Sequence, residues 1–189
     1  MRSLRILVAE DESIIRMGLC RILEEAGHQV LAAPDGRTAV RLARTTGPDV
    51  VILDIKMPGM DGLEAAREIY RQRPLPILLL TAYGDRELVA QAAQLPIMAY
   101  LIKPVEEREL LAALEVAVAR FVDQQETLAR ATRAEERLAA RRVIERAKGV
   151  LMQREGLSEE EAYRALQRRA RSERRSMREV AEEILRQVV

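Results

Sequence analysis

The sequence predicts an α/β fold: a doubly wound, five-stranded parallel sheet, followed by a linker helix and a small three-helix domain. Three observations lead there. Five short runs of branched apolar residues alternate with amphipathic stretches over residues 4–121, and β–α units in series require a parallel sheet covered on both faces. Apolar residues make up 48% of the 189 residues and aromatics only 3%, which suits a Leu/Val/Ile/Ala core between helices and a buried sheet. Beyond Phe121 the apolar runs stop and charge alternates densely, so the remainder reads as helix.

The strand-like runs cover 5–9, 28–33, 50–55, 77–82 and 99–103, each bounded by turn residues. A helix over 12–26 turns Ile14, Ile15, Met17, Gly18, Leu19, Ile22 and Leu23 toward the core, and Gly27 stops it. Further helices are expected over 36–46 after Pro34-Asp35-Gly36, over 63–73 after Pro58 to Gly62, over 85–94 after Gly84, and over 106–121 after Pro104. Residues 122–147 contain no Gly or Pro, and Leu128, Ala131 and Leu138 are thinly spread. This is an exposed helix with the spacing of a weak two-stranded coiled coil, its seam interrupted by Gln125, Thr132 and Glu135. Gly149 and Gly156 punctuate the chain. Ser158 with Glu161 three residues on forms a capping box, opening a helix from 159 to about 171. A last helix starts near Ser176. The resulting division is 1–121, a helical linker over 122–140, and an output unit over 141–189.

Cys20 is the sole cysteine, so neither a disulfide framework nor a cysteine metal cluster forms within one chain. Its apolar surroundings predict a buried structural thiol. With no signal peptide and no apolar run of membrane-spanning length, a cytoplasmic protein is expected. The net charge of +1 conceals a split. Residues 1–120 carry 15 Lys+Arg against 17 Asp+Glu, and residues 121–189 carry 16 against 13. Seven arginines and one acid, Glu173, fall within 164–178. That run is either a solvated helix face or a surface for an anionic partner.

In an open parallel sheet, ligands bind beyond the carboxyl ends of the strands. There the first strand ends in Glu10-Asp11, the third in Asp54, the fourth in Thr81-Ala82 and the fifth in Lys103-Pro104. Crowded carboxylates need a shared cation. An oxygen-only ligand set suits Mg²⁺. Asp54 can then attack a phosphoryl donor and form an aspartyl phosphate, with Mg²⁺ and Lys103 neutralising the transferred group. Thr81 can donate to a phosphate oxygen, and Ala82 leaves room for it.

These residues, with Met57-Pro58-Gly59-Met60-Asp61-Gly62 after Asp54 and with Tyr100, resemble the receiver domain of two-component response regulators, over roughly residues 4–121. The resemblance implies a flavodoxin-like sheet and phosphorylation of Asp54 by a sensor histidine kinase. It implies Mg²⁺ bound by Asp11, Asp54 and the Met57 backbone carbonyl, with Glu10 acting partly through water. It also implies that Thr81 and Tyr100 are a switch pair, Tyr100 turning inward as Thr81 moves to the phosphate. Ordinary half-buried packing is the other reading of Tyr100. Lys56 and Tyr83 flank the site at positions that tune phosphate lifetime in the family. His28, far from the cluster, is expected at the surface.

The tail resembles the ANTAR domain, a three-helix RNA-binding module of transcription antiterminators. The matching residues are Ala147-Lys148-Gly149, Gly156-Leu157-Ser158, Ala162-Tyr163 and Arg178-Glu179-Val180-Ala181. The resemblance implies a regulator whose phosphorylation promotes dimerisation and binding to RNA hairpins, with no enzymatic activity beyond its own phosphoryl transfer and dephosphorylation. Lys148, exposed on the helical pattern, is the foremost expected RNA contact, followed by Tyr163, Arg168, Arg175 and Arg178. Arginines can grip phosphates and stack on splayed bases. Tyr163 either stacks on a base or lies in the core. Arg169 and Arg174 stand where the family often has an aromatic residue and Asn. A tail that binds protein, or duplex DNA through its last two helices, is the alternative.

Overall fold

The computed structural model describes residues 3–82 and 97–187. The helix expected over 85–94, and Tyr83, lie outside them. Five strands, β1 (Arg5–Ala9), β2 (Gln29–Ala33), β3 (Val50–Asp54), β4 (Ile77–Thr81) and β5 (Ile97–Ile102), pair in parallel in the order β2-β1-β3-β4-β5. Six helices follow among the described residues: α1 (Ser13–Glu25), α2 (Gly36–Thr46), α3 (Gly62–Gln72), α4 (Glu107–Glu155), α5 (Glu159–Glu173) and α6 (Met177–Arg186). Among the described residues, none is long and apolar enough to cross a membrane.

The central strands are apolar throughout because both of their faces are covered. Leu7, Val51, Leu53, Ile77 and Leu79 pack with Ala39 and Ala43 of α2 and with Ala65, Ala66 and Ile69 of α3. The alternate residues Ile6, Val8, Ile52, Leu78 and Leu80 pack with Leu19 and Leu23 of α1 and with Leu110, Leu114 and Ala117 of α4. This alternation is the period-two pleat of a strand. β5 begins at Ile97, two residues earlier than its apolar pattern predicts. The pairing steps from Ile77–Ile97 to Leu78–Ala99, so Met98 is absorbed as an irregularity in the ladder.

Several expectations are corrected. Ile14 is 85% exposed and Met17 69% exposed, although both were expected to face the core. Seven apolar positions over 14–23 span more than one face at 100° per residue, and only the Ile15, Leu19, Ile22 and Leu23 side reaches the sheet. His28 is buried, not at the surface. It follows the Gly27 turn, and its Nδ1 accepts a hydrogen bond of 3.3 Å from the Leu4 backbone N–H. Cys20 is only half-buried, because it sits on the shoulder of α1 beside Arg16 and Glu24, and burial pushes its thiol pKa up.

Gly149 does not end a helix. α4 runs from Glu107 to Glu155 through the segment expected as a separate linker. No proline interrupts it, and an interior glycine costs only about 1 kcal/mol. The chain divides into two compact units, 1–125 and 126–189. The core of the second unit is Ala147 and Leu151 of α4, Ala162, Leu166 and Ala170 of α5, and Val180, Ala181 and Ile184 of α6. Capping boxes start both short helices, Ser158 with Glu161 and Ser176 with Glu179.

Candidate functional site

The carboxyl ends of β1, β3, β4 and β5 bring Glu10, Asp11, Asp54, Thr81 and Lys103 to one edge of the sheet. Carboxylate oxygens of Glu10, Asp11 and Asp54 all lie within 4.8 Å of one another. Glu10 is fully buried and Asp54 is 4% exposed, whereas Asp11 is exposed. Lys103 Nζ stands 2.7 Å from Glu10 Oε2 and 2.9 Å from Asp54 Oδ2. Among the described residues, Glu10 Oε2 is a buried oxygen whose one partner is this Lys103 ammonium.

Burial pushes the pKa of both Glu10 and Asp54 above the usual carboxylate range, against the pull of Lys103. Repulsion adds to this in each case, Asp54 acting on Glu10 and Asp11 on Asp54. The two carboxylates hold the Lys103 ammonium above its ordinary pKa although burial opposes it. A second cation among these oxygens would relieve the remaining repulsion and give Glu10 Oε2 a second partner. The donors are all oxygen, which fits Mg²⁺.

The backbone around the cluster is fixed at several points. The Lys103 N–H donates to the Thr81 carbonyl at 2.8 Å, and the Ile55 N–H to the Leu80 carbonyl at 3.0 Å. The Lys56 backbone N–H donates to the Asp54 carboxylate. α3 starts close behind Asp54, where the Gly62 N–H reaches the Ile55 carbonyl at 2.9 Å. A Cβ on Gly62 would overlap the Asp54 carbonyl oxygen, so only glycine fits there. Met57, in the loop between β3 and α3, turns its side chain into the core.

Thr81 is buried, and its Oγ1 donates to the Ala82 carbonyl at 3.2 Å. Tyr100 pairs in register with Leu79, half-buried against the cluster that covers the α2–α3 face. Burial raises its phenol pKa. Arg16 is a residue that sequence reasoning missed. Its Nη1 donates to the Glu10 carbonyl at 2.6 Å and to the Asp11 carbonyl at 3.1 Å. Glu12, at the N-cap of α1, makes no side-chain capping bond, so Arg16 ties down the loop from within the helix. Its one available signal was its position, one turn into the helix that follows the acidic pair.

The second unit treats its cations unequally. Lys148 is not exposed as its helical position predicts: the residue is 6% exposed, its Nζ held by Glu145 at 2.8 Å and Glu159 at 2.7 Å. Those carboxylates raise its pKa, Glu145 contributing more. The start of α5 supplies Glu159, a partner that spacing along α4 alone could not reveal. Arg175 is paired with Glu173 and Glu183, and Arg178 with Glu182. Arg168 is exposed and has no acidic partner among the described residues. Tyr163 is 44% exposed, on the solvent side of a helix whose core stripe is Ala162, Leu166 and Ala170.

Comparison with known proteins agrees with both units. Residues 6–115 match the response regulator receiver domain, and residues 132–185 match the ANTAR domain. The transcriptional regulatory protein PdtaR of Mycobacterium tuberculosis is 43% identical over 182 residues, spanning 96% of this chain and 89% of that protein. Chemotaxis protein CheY4 of Vibrio cholerae superposes with a TM-score of 0.59 at 30% identity, covering 61% of this chain and 99% of that one. NtrX of Brucella abortus gives a TM-score of 0.63 at 29% identity over 68% of this chain, though only 29% of its own. A receiver sheet, its acidic edge and an ANTAR tail on one chain make this protein a member of the two-component response regulator family, with an RNA-binding antitermination output.

Proposed function

We propose that Asp54 is the phosphoacceptor and that its phosphorylation, driven by a sensor histidine kinase, controls binding of RNA hairpins by residues 141–189. The observation that carries this reading is the buried Asp54 between Lys103 and two further carboxylates. An Asp54 oxygen attacks phosphorus of a phosphohistidine, the P–N bond breaks as the acyl phosphate forms, and the imidazole departs with a proton. Lys103 stays against the transferred oxygens and offsets their charge. Asp11, Asp54 and the Met57 carbonyl would hold Mg²⁺, with Glu10 acting partly through water. Bound there, the ion supplies electrostatic stabilisation of the phosphoryl group.

Thr81 donates to the new phosphate oxygen, and Tyr100 moves further into the space it leaves. The β4–β5 surface changes shape, which favours a homodimer and an RNA-competent tail. The protein works in the cytoplasm, and its chemistry is limited to gaining and losing its own phosphoryl group. The test combines acetyl phosphate labelling, with and without Mg²⁺, and a gel shift with an RNA of two small-loop hairpins. Absence of RNA binding in both phosphorylation states sinks the output half of this reading. Pairing of Arg175 and Arg178 with acids favours a second reading, a tail that binds protein. Weak dependence of complex formation on salt would select it, since an arginine grip on RNA weakens steeply as salt rises.

A further inference from the structure

The seven arginines of 164–178 form one run in sequence but fall into two sets by partner. Arg164 pairs with Glu160, Arg169 with Glu173 and Glu183, Arg175 with the same two acids, and Arg178 with Glu182. Arg168, Arg171 and Arg174 are exposed and have no acidic partner among the described residues. They recur every third residue along the end of α5. Their charge is available to an anion without first breaking an ion pair.

Arg174 is set apart by its backbone as well. It caps α5 at φ 53° and ψ 40°, in the left-handed region. Among the described residues it is the sole non-glycine residue at positive φ. Where the chain turns the same way at the end of α2 and just after α4, it uses Gly47 and Gly156. A side chain other than Gly or Asn is disfavoured there because its Cβ crowds the following carbonyl. The cap is nevertheless well made: the Arg174 N–H donates to Ala170 and Arg171, and the Arg175 N–H to Ala170 at 3.0 Å. Those backbone bonds would serve a glycine equally well, and among the described residues no bond to the Arg174 side chain offsets its strain.

We propose that Arg174 is retained at this strained cap as an RNA phosphate contact, and that with Arg168 and Arg171 it forms the gripping edge of the helical unit. This rests on the RNA-binding reading above. Lys148 ties α4 to α5 through Glu159, and Arg169 and Arg175 tie the end of α5 to α6 through Glu183, whereas Arg164 and Arg178 pair within their own helices; the three unpaired ones meet the ligand. Tyr163, exposed on the same helix, offers a ring for an unstacked base.

The test compares wild type, Arg174→Gly and Arg174→Lys as full-length chains. Each is measured unphosphorylated and after acetyl phosphate treatment, against a synthetic RNA of two small-loop hairpins at 50–200 mM salt. Arg174→Gly should raise the unfolding temperature of the helical unit by about 4 °C. It should weaken RNA binding about fivefold and lower the slope of log K against log salt by about 0.7. Arg174→Lys should keep the wild-type slope. The proposal is overturned if Arg174→Gly binds RNA as wild type does, or is less stable than wild type. Equal competition by duplex DNA of the same length overturns it too, by removing RNA as the partner. If wild type binds no RNA in either state, the output reading itself fails, and the absence of wild-type binding identifies that case.

Discussion

Replacing Lys103 with Met keeps most of the side-chain volume and removes the ammonium between two buried carboxylates. In the wild type that ammonium is 2.7 Å from Glu10 Oε2 and 2.9 Å from Asp54 Oδ2, with side-chain exposures of 17% for Lys103, 0% for Glu10 and 5% for Asp54. Deleting one partner of a buried ion pair costs about 3–5 kcal/mol. Exposed Asp11 and the partial exposure of Lys103 admit water, so the lower end applies, about 3 kcal/mol at pH 7.5 without divalent cations.

The sign of the pH dependence is fixed by the carboxyls. A carboxyl whose pKa is raised on folding favours the folded state at low pH and loses that contribution as pH climbs through its folded pKa. Glu10 and Asp54 are already raised, burial being the main cause, and loss of Lys103 raises them further. The deficit of Lys103→Met is therefore largest at neutral pH and shrinks as pH falls toward about 4, the unfolded carboxyl range. Lys103 itself, raised by its partners, contributes up to its unfolded pKa of about 10.4 and loses that contribution above it. Urea unfolding followed by far-ultraviolet circular dichroism measures this at pH 5 and 7.5. Mg²⁺ at a hundred times its Kd should restore about 2.7 kcal/mol. A variant within 1 kcal/mol of wild type at pH 7.5, or a deficit that grows toward pH 5, would refute the reasoning.

Asp54→Asn should abolish acetyl phosphate labelling while leaving the circular dichroism spectrum unchanged; labelling at wild-type stoichiometry would identify another acceptor. Gly62→Ala brings a Cβ to 2.8 Å from the Asp54 carbonyl carbon and 2.9 Å from Ile55 Cα, both backbone atoms that cannot step aside. Overpacking plus strain on the Gly62–Ile55 hydrogen bond should cost about 2–4 kcal/mol in urea unfolding, with slower labelling of Asp54. Arg16→Ala frees the Glu10 and Asp11 carbonyls and should weaken Mg²⁺ binding about tenfold, read by calorimetry, with Arg16→Lys recovering part of the loss. Asp35→Ala removes the cap on Thr38 N–H and should cost about 1 kcal/mol. That bond chiefly holds the Asp35 carboxyl below its ordinary range. Its contribution is therefore present above pH 4 or so and fades as pH falls through the lowered value.

What the sequence disclosed followed from periodicity and strand order. Buried strands announce themselves as apolar runs, and a parallel sheet gathers the residues after each strand on one edge, so strand order alone groups Glu10, Asp11, Asp54, Thr81 and Lys103. Hydrogen bonds that run backward along the chain leave no such pattern. Arg16 reaches the carbonyls of Glu10 and Asp11, and carbonyls carry no signature in a sequence. The burial of His28 escapes the sequence for a related reason: its partner is the Leu4 amide, 24 residues away.

The tail makes the limit plainer. Spacing within one helix arranges arginines on a face, but whether each is available depends on acids from other helices. Glu183 of α6 takes up Arg169 of α5 and Arg175 beyond its end, and Glu159 of α5 takes up Lys148 of α4. A charge run read alone therefore overstates the cations free for a ligand. Salt dependence of RNA binding should count only the unpaired ones: with Arg168, Arg171 and Arg174 as the contacts, the slope of log K against log salt should be near −2 for unstacked loops, since each contributes about 0.7. Engagement of all seven arginines would more than double that slope and would mean that the ion pairs of α5 and α6 open on binding.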